Sequence, residues 1–131
     1  MNYFDKRFFQ KTTFSLTQIK RHYNSALRDL TIAKKSDVPE VVFKFSYDAL
    51  IKLGIALIAK AGYKVRSQAG HHIKILEKLS QILSDENIAV LGNKMRQDRN
   101  FDLYCGGTFI SKKSSQDYLK FIMDLSKKIK I

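Results

Sequence analysis

No disulfide can form within this chain, because Cys105 is its only cysteine, and an intracellular, cytoplasmic protein is the expectation that follows. One proline and six glycines are too few for a loop-rich or repetitive chain. With plentiful Leu, Ile, Lys and Ala, they favour helices over strands. The start, MNYFDKRFFQ, is basic and aromatic and lacks the unbroken apolar segment of a signal peptide. No uncharged stretch approaches the roughly 20 residues that cross a bilayer, so no membrane role is expected. Carboxylates and cysteines do not cluster beside the histidines at ligand spacing, and neither a metal nor an organic cofactor is implied. Acidic residues are also scarce, 12 against 24 Lys and Arg, for a formal net charge of +12. So basic a balance raises the local concentration of anions and suits nucleic acid, anionic lipid or an acidic protein. The cations are spread over the whole chain, however, and a solvated basic surface explains them equally well.

What the chain does have is one very apolar helix. Between Val38 and Gly62 the charged residues Lys44, Asp48 and Lys52 fall four apart and form a thin polar stripe. Nearly everything around them is apolar, including Val42, Phe43, Leu50, Ile51, Leu53, Leu57 and Ile58. A helix with so little polar circumference belongs in the middle of a bundle. Pro39 suits its first turn, Ser36 or Asp37 can cap it, and Gly62 suits the position just past its end.

The other segments supply helices to surround it. Leu16, Ile19, Tyr23, Ala26, Leu27, Leu30 and Ala33 follow the three-four spacing of one buried face, with Ser15 as cap and Gln18 at the capping-box position. A short turn at residues 34–36 should return the second helix antiparallel beside the first. After a polar connection, a third helix over 71–83 would bury Ile75, Leu76, Leu79, Ile82 and Leu83. A fourth, over 86–104, offers Ile88, Val90, Leu91, Met95 and Leu103 to the core and ends at Gly106 and Gly107. Ser111 opens a fifth, which buries Tyr118, Phe121, Ile122, Leu125 and Ile129. The expected fold is all-α, an antiparallel up-and-down bundle of four to five helices over 15–131, preceded by an arm over 1–14. In that arm Tyr3, Phe4, Phe8, Phe9 and Phe14 alternate with Lys6, Arg7 and Lys11. Aromatics among cations can stack bases and hold phosphates, or tuck into a groove of the bundle.

Chemistry concentrates in residues 95–104, Met-Arg-Gln-Asp-Arg-Asn-Phe-Asp-Leu-Tyr. Arg99 and Asp102 lie one turn apart, as do Asn100 and Tyr104, so each pair shares a helix face. The same spacing also suits an exposed, salt-bridged surface. His71 and His72 are adjacent, and neighbours on a helix point about 100 degrees apart, so the two cannot easily chelate one metal.

The apolar second helix with Tyr47-Asp48-Ala49, the connection with Gly62-Tyr63 and Gly70-His71-His72, and Arg99-Asn100 ahead of Tyr104 together resemble the HEPN superfamily of small helical bundles. The likeness covers the chain from about residue 16 onward. Relatives that cut RNA carry an Arg, a polar neighbour and then a His. Two such motifs meet across a homodimer and act without metal. The resemblance therefore implies a bundle from a defence or toxin–antitoxin type of system, with RNA and a nucleotidyltransferase protein as candidate partners. It assigns the motif to Arg99, Asn100 and Tyr104, and a wider binding surface to Arg96, Arg99, Asp102, Arg66, His71 and His72. Tyr104 stands where the His would fall, and no His follows it. A phenol with a pKa of about 10 is a poor base at neutral pH. The expectation is thus a subunit that binds RNA or a nucleotide-bearing partner. The alternatives are an active metal-independent endoribonuclease, with Tyr104 or a remote His as base, and a protein-interaction bundle held by an Arg99–Asp102 ion pair.

Overall fold

In the computed structural model of the chain, residues 3–105 and 110–131 are described, the side chains of 101–105 excepted. They form five helices and two short strands: β1 (Phe9–Lys11), α1 (Leu16–Lys35), α2 (Pro39–Lys60), β2 (Tyr63–Val65), α3 (His71–Ile82), α4 (Glu86–Cys105) and α5 (Lys112–Lys128). The all-α bundle expected from the spacing is what forms.

Local signals start the helices. The Ser15 hydroxyl accepts from the Gln18 amide at 3.2 Å while Gln18 Oε1 accepts from the Ser15 amide at 2.8 Å, a complete capping box for α1. Ser111 caps α5 by accepting from the Ser114 amide at 3.0 Å. Helix α2 starts differently from expectation. Its N-cap is Val38, which has no side-chain acceptor, and the Ser36 hydroxyl instead accepts from the Val38 amide at 3.1 Å. Ser36 thus holds the turn, and Pro39 supplies the pre-formed first residue of the helix.

Helix α2 touches α1, α3, α4 and α5. Its Tyr47, Leu50, Leu53 and Ile58 are among the largest fully buried side chains of the protein. Even its polar stripe is put to use. Lys52 Nζ stands 2.7 Å from Oδ2 of Asp29, a buried carboxylate on α1, and Lys44 pairs with Asp48 at 2.9 Å. Helix α5 lies against α2, with Tyr118 edge-on to Phe43 at 5.8 Å, and buries Tyr118, Leu119, Ile122 and Leu125.

Some expected core assignments change, and Leu16, on the expected buried face of α1, is 59% exposed. Ile82 and Leu83 are only half-buried, since α3 ends there. Val90 is 66% exposed. Helix α4 buries Ile88, Gly92 and Met95, and a residue two positions from Ile88 points roughly 200 degrees away from it. Gly92 permits the contact with α3, because a Cβ there would come within 2.6 Å of Leu76 Cδ2.

The two strands were not expected. β1 pairs antiparallel with β2, Phe9 opposite Val65 and Lys11 opposite Tyr63, so both the arm and the polar connection contribute backbone ladder. The arm's rings pack on their own bundle. Phe9 is buried, and Phe4 stacks on Tyr63 with centroids 4.0 Å apart. Lys78 of α3, also buried, donates to the Tyr3 carbonyl and to Gln81 and lies over the rings of Phe4 and Phe9 at 4.4 and 5.4 Å. Its charge is thereby satisfied by carbonyl oxygens and π faces rather than by a carboxylate. No helix among the described residues is long and apolar enough to cross a membrane.

Candidate functional site

The site is assembled where three helices converge. Gly54 of α2 lets α3 approach closely, since a Cβ there would collide with Ile75. That approach sets Tyr47, toward the start of α2, opposite the first turn of α3. The chain enters this turn through Gly70 at φ +77°, a conformation glycine adopts without strain. His71 and His72 follow at once, and their Nδ1 atoms turn to separate partners. His71 Nδ1 lies 3.1 Å from the Gln68 carbonyl, which makes it the donor there. His72 turns inward, with Nδ1 at 2.9 Å from the Tyr47 hydroxyl. The two imidazoles meet edge to face, centroids 4.6 Å apart.

Helix α4 brings the positive charge. The Arg99 guanidinium lies 5.8 Å from the centroid of the Tyr47 ring, and Arg99 is itself exposed. Arg96, one turn earlier, is half-buried and donates from Nε to Asn93 Oδ1 at 3.4 Å. Asp48 is the acidic group that acts on this cluster, and Lys44 already engages it. Asp98 takes no part, because its Oδ2 accepts from the Tyr118 hydroxyl at 3.2 Å and pairs with Lys94 at 3.4 Å.

This environment shapes the protonation of both ring systems. Burial pushes the Tyr47 phenol up to about 12 against the opposing pull of Arg99 and Arg96. Tyr47 is therefore a neutral hydroxyl throughout the physiological range. Burial also lowers His72 below its ordinary value of 6.5, and His71, Arg99 and Arg96 lower it further, with only Asp48 opposing. The result is an imidazole held neutral at pH 7 beside two guanidinium groups.

A pH dependence follows. The unfolded chain takes up a proton at His72 near 6.5, whereas the folded chain resists it to lower pH. Stability therefore rises with pH in that window, is fully present above 6.5 and is lost as the pH falls toward the lower folded value. Thermal unfolding followed from about pH 7.5 to about pH 5.5 should show a falling midpoint, with a flatter slope in His72→Asn. An unchanged slope would remove His72 as the cause.

Of the residues singled out from sequence, Arg96, Arg99, His71 and His72 are gathered here. Asn100 is half-buried on α4. Arg66 belongs elsewhere: its Nε donates to the Lys6 carbonyl at 2.9 Å and its amide to the Phe8 carbonyl at 2.7 Å, so it ties down the arm. Asp102 and Tyr104 fall on α4, but their side chains lie outside the described residues. The Arg99–Asp102 and Asn100–Tyr104 pairings lie outside them too. Sequence reasoning missed Tyr47 as a site residue. A tyrosine inside so apolar a helix needs a partner for its hydroxyl, and that need was the available signal. Among the described residues no cluster of potential metal ligands occurs. No protein-family model, curated protein or solved structure matches this chain. The functional reading therefore stands on the side-chain arrangement. Two arginines beside a neutral histidine can bind a phosphate, the imidazole is able to accept a proton, and the Tyr47 phenol lies buried beneath them.

Proposed function

We propose that this protein is a HEPN-like, RNA-binding subunit of a defence or toxin–antitoxin type of system, with Arg99 as the anchor for a backbone phosphate. The observation that carries the reading is the convergence of Arg99 and Arg96 from α4 and His72 from α3 around Tyr47 of α2. A guanidinium presents a planar fork of donors that matches phosphate oxygens. The net charge of +12 steers a polyanion toward the surface. In the same reading the protein is a homodimer and works beside a nucleotidyltransferase partner.

Binding of a fluorescent single-stranded RNA across a potassium chloride series tests this. Arg99→Ala should weaken binding about tenfold or more, the worth of one charge-assisted contact. The slope of log affinity against log salt should fall by roughly 0.7, the share of one phosphate on a single strand. Equal affinities and slopes for the two proteins would overturn the proposal. Loss of the dimer in Arg99→Ala with RNA affinity intact would favour the alternative of an interface ion pair.

A further inference from the structure

We infer that a cavity beside the C-terminal turns of α2 is a binding site for a small planar anion, with the size and chemistry of a bicyclic aromatic carboxylate. The inference is independent of the RNA-binding reading, since none of the residues around Tyr47 and Arg99 lines this cavity.

The cavity opens where α2, β2 and the N-terminal half of α1 meet, and its volume is about 270 Å³. Ile55 and the buried Ala59 of α2 form its floor. Phe14 closes one side from the link between β1 and α1, which is tied down by the Thr12 amide donating to the Gly62 carbonyl at 2.9 Å. Tyr63 completes the lining, held in place by the β ladder and by its stack with Phe4. The walls are thus fixed by the fold before any ligand arrives, as in most small-molecule sites.

Size and wall chemistry narrow the occupant. An apolar cavity of about 150 Å³ takes up benzene, so this one has room for a second fused ring. Two of its walls are aromatic, which suits a flat unsaturated body. A rigid body also has no rotors to freeze, unlike an alkyl chain of the same volume.

Charge then sets the polar end. His22, half-buried on α1, and Lys64, exposed on β2, are the polar side chains at the cavity, and no carboxylate lines it. The ion pairs among the described residues involve neither of them. Lys52 and Lys78, by contrast, are already engaged inside the protein. An ammonium without a counter-ion at the mouth of an apolar cavity is the place for a carboxylate carried on an apolar ring. An amine on the same ring would meet Lys64 and the net charge of +12 as repulsion.

The probe is 2-naphthoate, titrated into the full chain and followed by calorimetry and by amide and methyl NMR. Binding with a Kd of about 0.1 mM is expected, in keeping with so small a ligand. Shift changes should centre on Phe14, His22, Ile55, Tyr63 and Lys64. At ten times that Kd the melting temperature should rise by about 3–6 °C. Lys64→Glu changes an exposed side chain, so the fold should survive, and it should weaken 2-naphthoate about fivefold or more. The same variant should leave the neutral 2-naphthylmethanol nearly unaffected. Ile55→Trp should fill the cavity and abolish binding of both probes, with helical content checked by circular dichroism. If that variant fails to fold, the charge comparison at Lys64 still decides. Several results would overturn the inference. One is no binding at about 2 mM probe, or shift changes centred elsewhere in the bundle. Another is 2-naphthylmethylammonium binding as tightly as 2-naphthoate. A third is movement of the same resonances with protein concentration alone, which would make the cavity part of a contact between two copies of the chain.

Discussion

Gly54→Val is expected to lower the melting temperature by about 10 °C and to separate Tyr47 from His72. The Cβ it adds would fall on Ile75 Cγ2, and Ile75 is 1% exposed, with Leu79 close behind it. A β-branched side chain in a helix has essentially one χ1 rotamer, so Ile75 cannot swing aside. Helix α3 must instead be pushed off α2. Replacing a mid-helix glycine by alanine ordinarily gains about 1 kcal/mol of helix propensity. Overpacking a filled core costs about 1–3 kcal/mol, and valine adds two further methyls to the collision. The collision therefore outweighs the propensity, with a net loss of about 3 kcal/mol. Tyr47 and His72 lie toward the same end of the α2–α3 contact and are held together by it. In the proposed RNA-binding role, loss of affinity for RNA should accompany the fall in stability. A melting temperature within about 2 °C of wild type would contradict so close a helix approach.

The second large effect concerns Lys52 and Asp29. Asp29 is buried, and the Lys52 ammonium at 2.7 Å faces an oxygen that has no hydrogen-bond donor among the described residues. Lys52→Met keeps the aliphatic stem and removes the charge, which leaves a buried carboxylate without its counter-ion. Breaking a buried pair from one side costs about 3–5 kcal/mol. The lower end applies here, because the Lys52 side chain is 34% exposed and water reaches it. Adding Asp29→Leu to Lys52→Met should recover most of that loss, since an apolar pair of similar volume has no charge to bury. Urea unfolding of the two single variants and the double variant gives the coupling directly. If the double variant were as unstable as the sum of the singles, the two side chains would be acting independently.

The helices were legible in the sequence because their signals are local and redundant. The three-four spacing of α1 and α5, and the Ser15–Gln18 box, each lie within a few residues. The start of α2 was misread because Ser36 and Asp37 are both good caps, and the turn chosen places the helix beyond their reach. The strands were invisible for a different reason. A three-residue ladder is carried by backbone amides, and its partners come from distant parts of the chain with no alternating pattern to announce them. The site was legible in pieces. Arg96, Arg99, His71 and His72 stood out by residue type, but the two imidazoles, expected to point apart, touch edge to face while their Nδ1 atoms find separate partners. Their meeting point was not legible. It depends on the approach of α2 and α3 at Gly54, a packing property that no stretch of sequence states.

The short sheet has a consequence for how the molecule opens. Arg66 and Lys6, 60 residues apart, are hydrogen-bonded at its edge, so the arm closes a non-covalent loop that contains the whole of α1 and α2. Closing so long a loop carries an entropic penalty that only a few hydrogen bonds and the rings around Lys78 offset. Peeling the arm away regains that entropy without disturbing α2. The amides of β1 should therefore exchange with solvent deuterium through a local opening long before those in the middle of α2, which exchange only when the bundle as a whole comes apart.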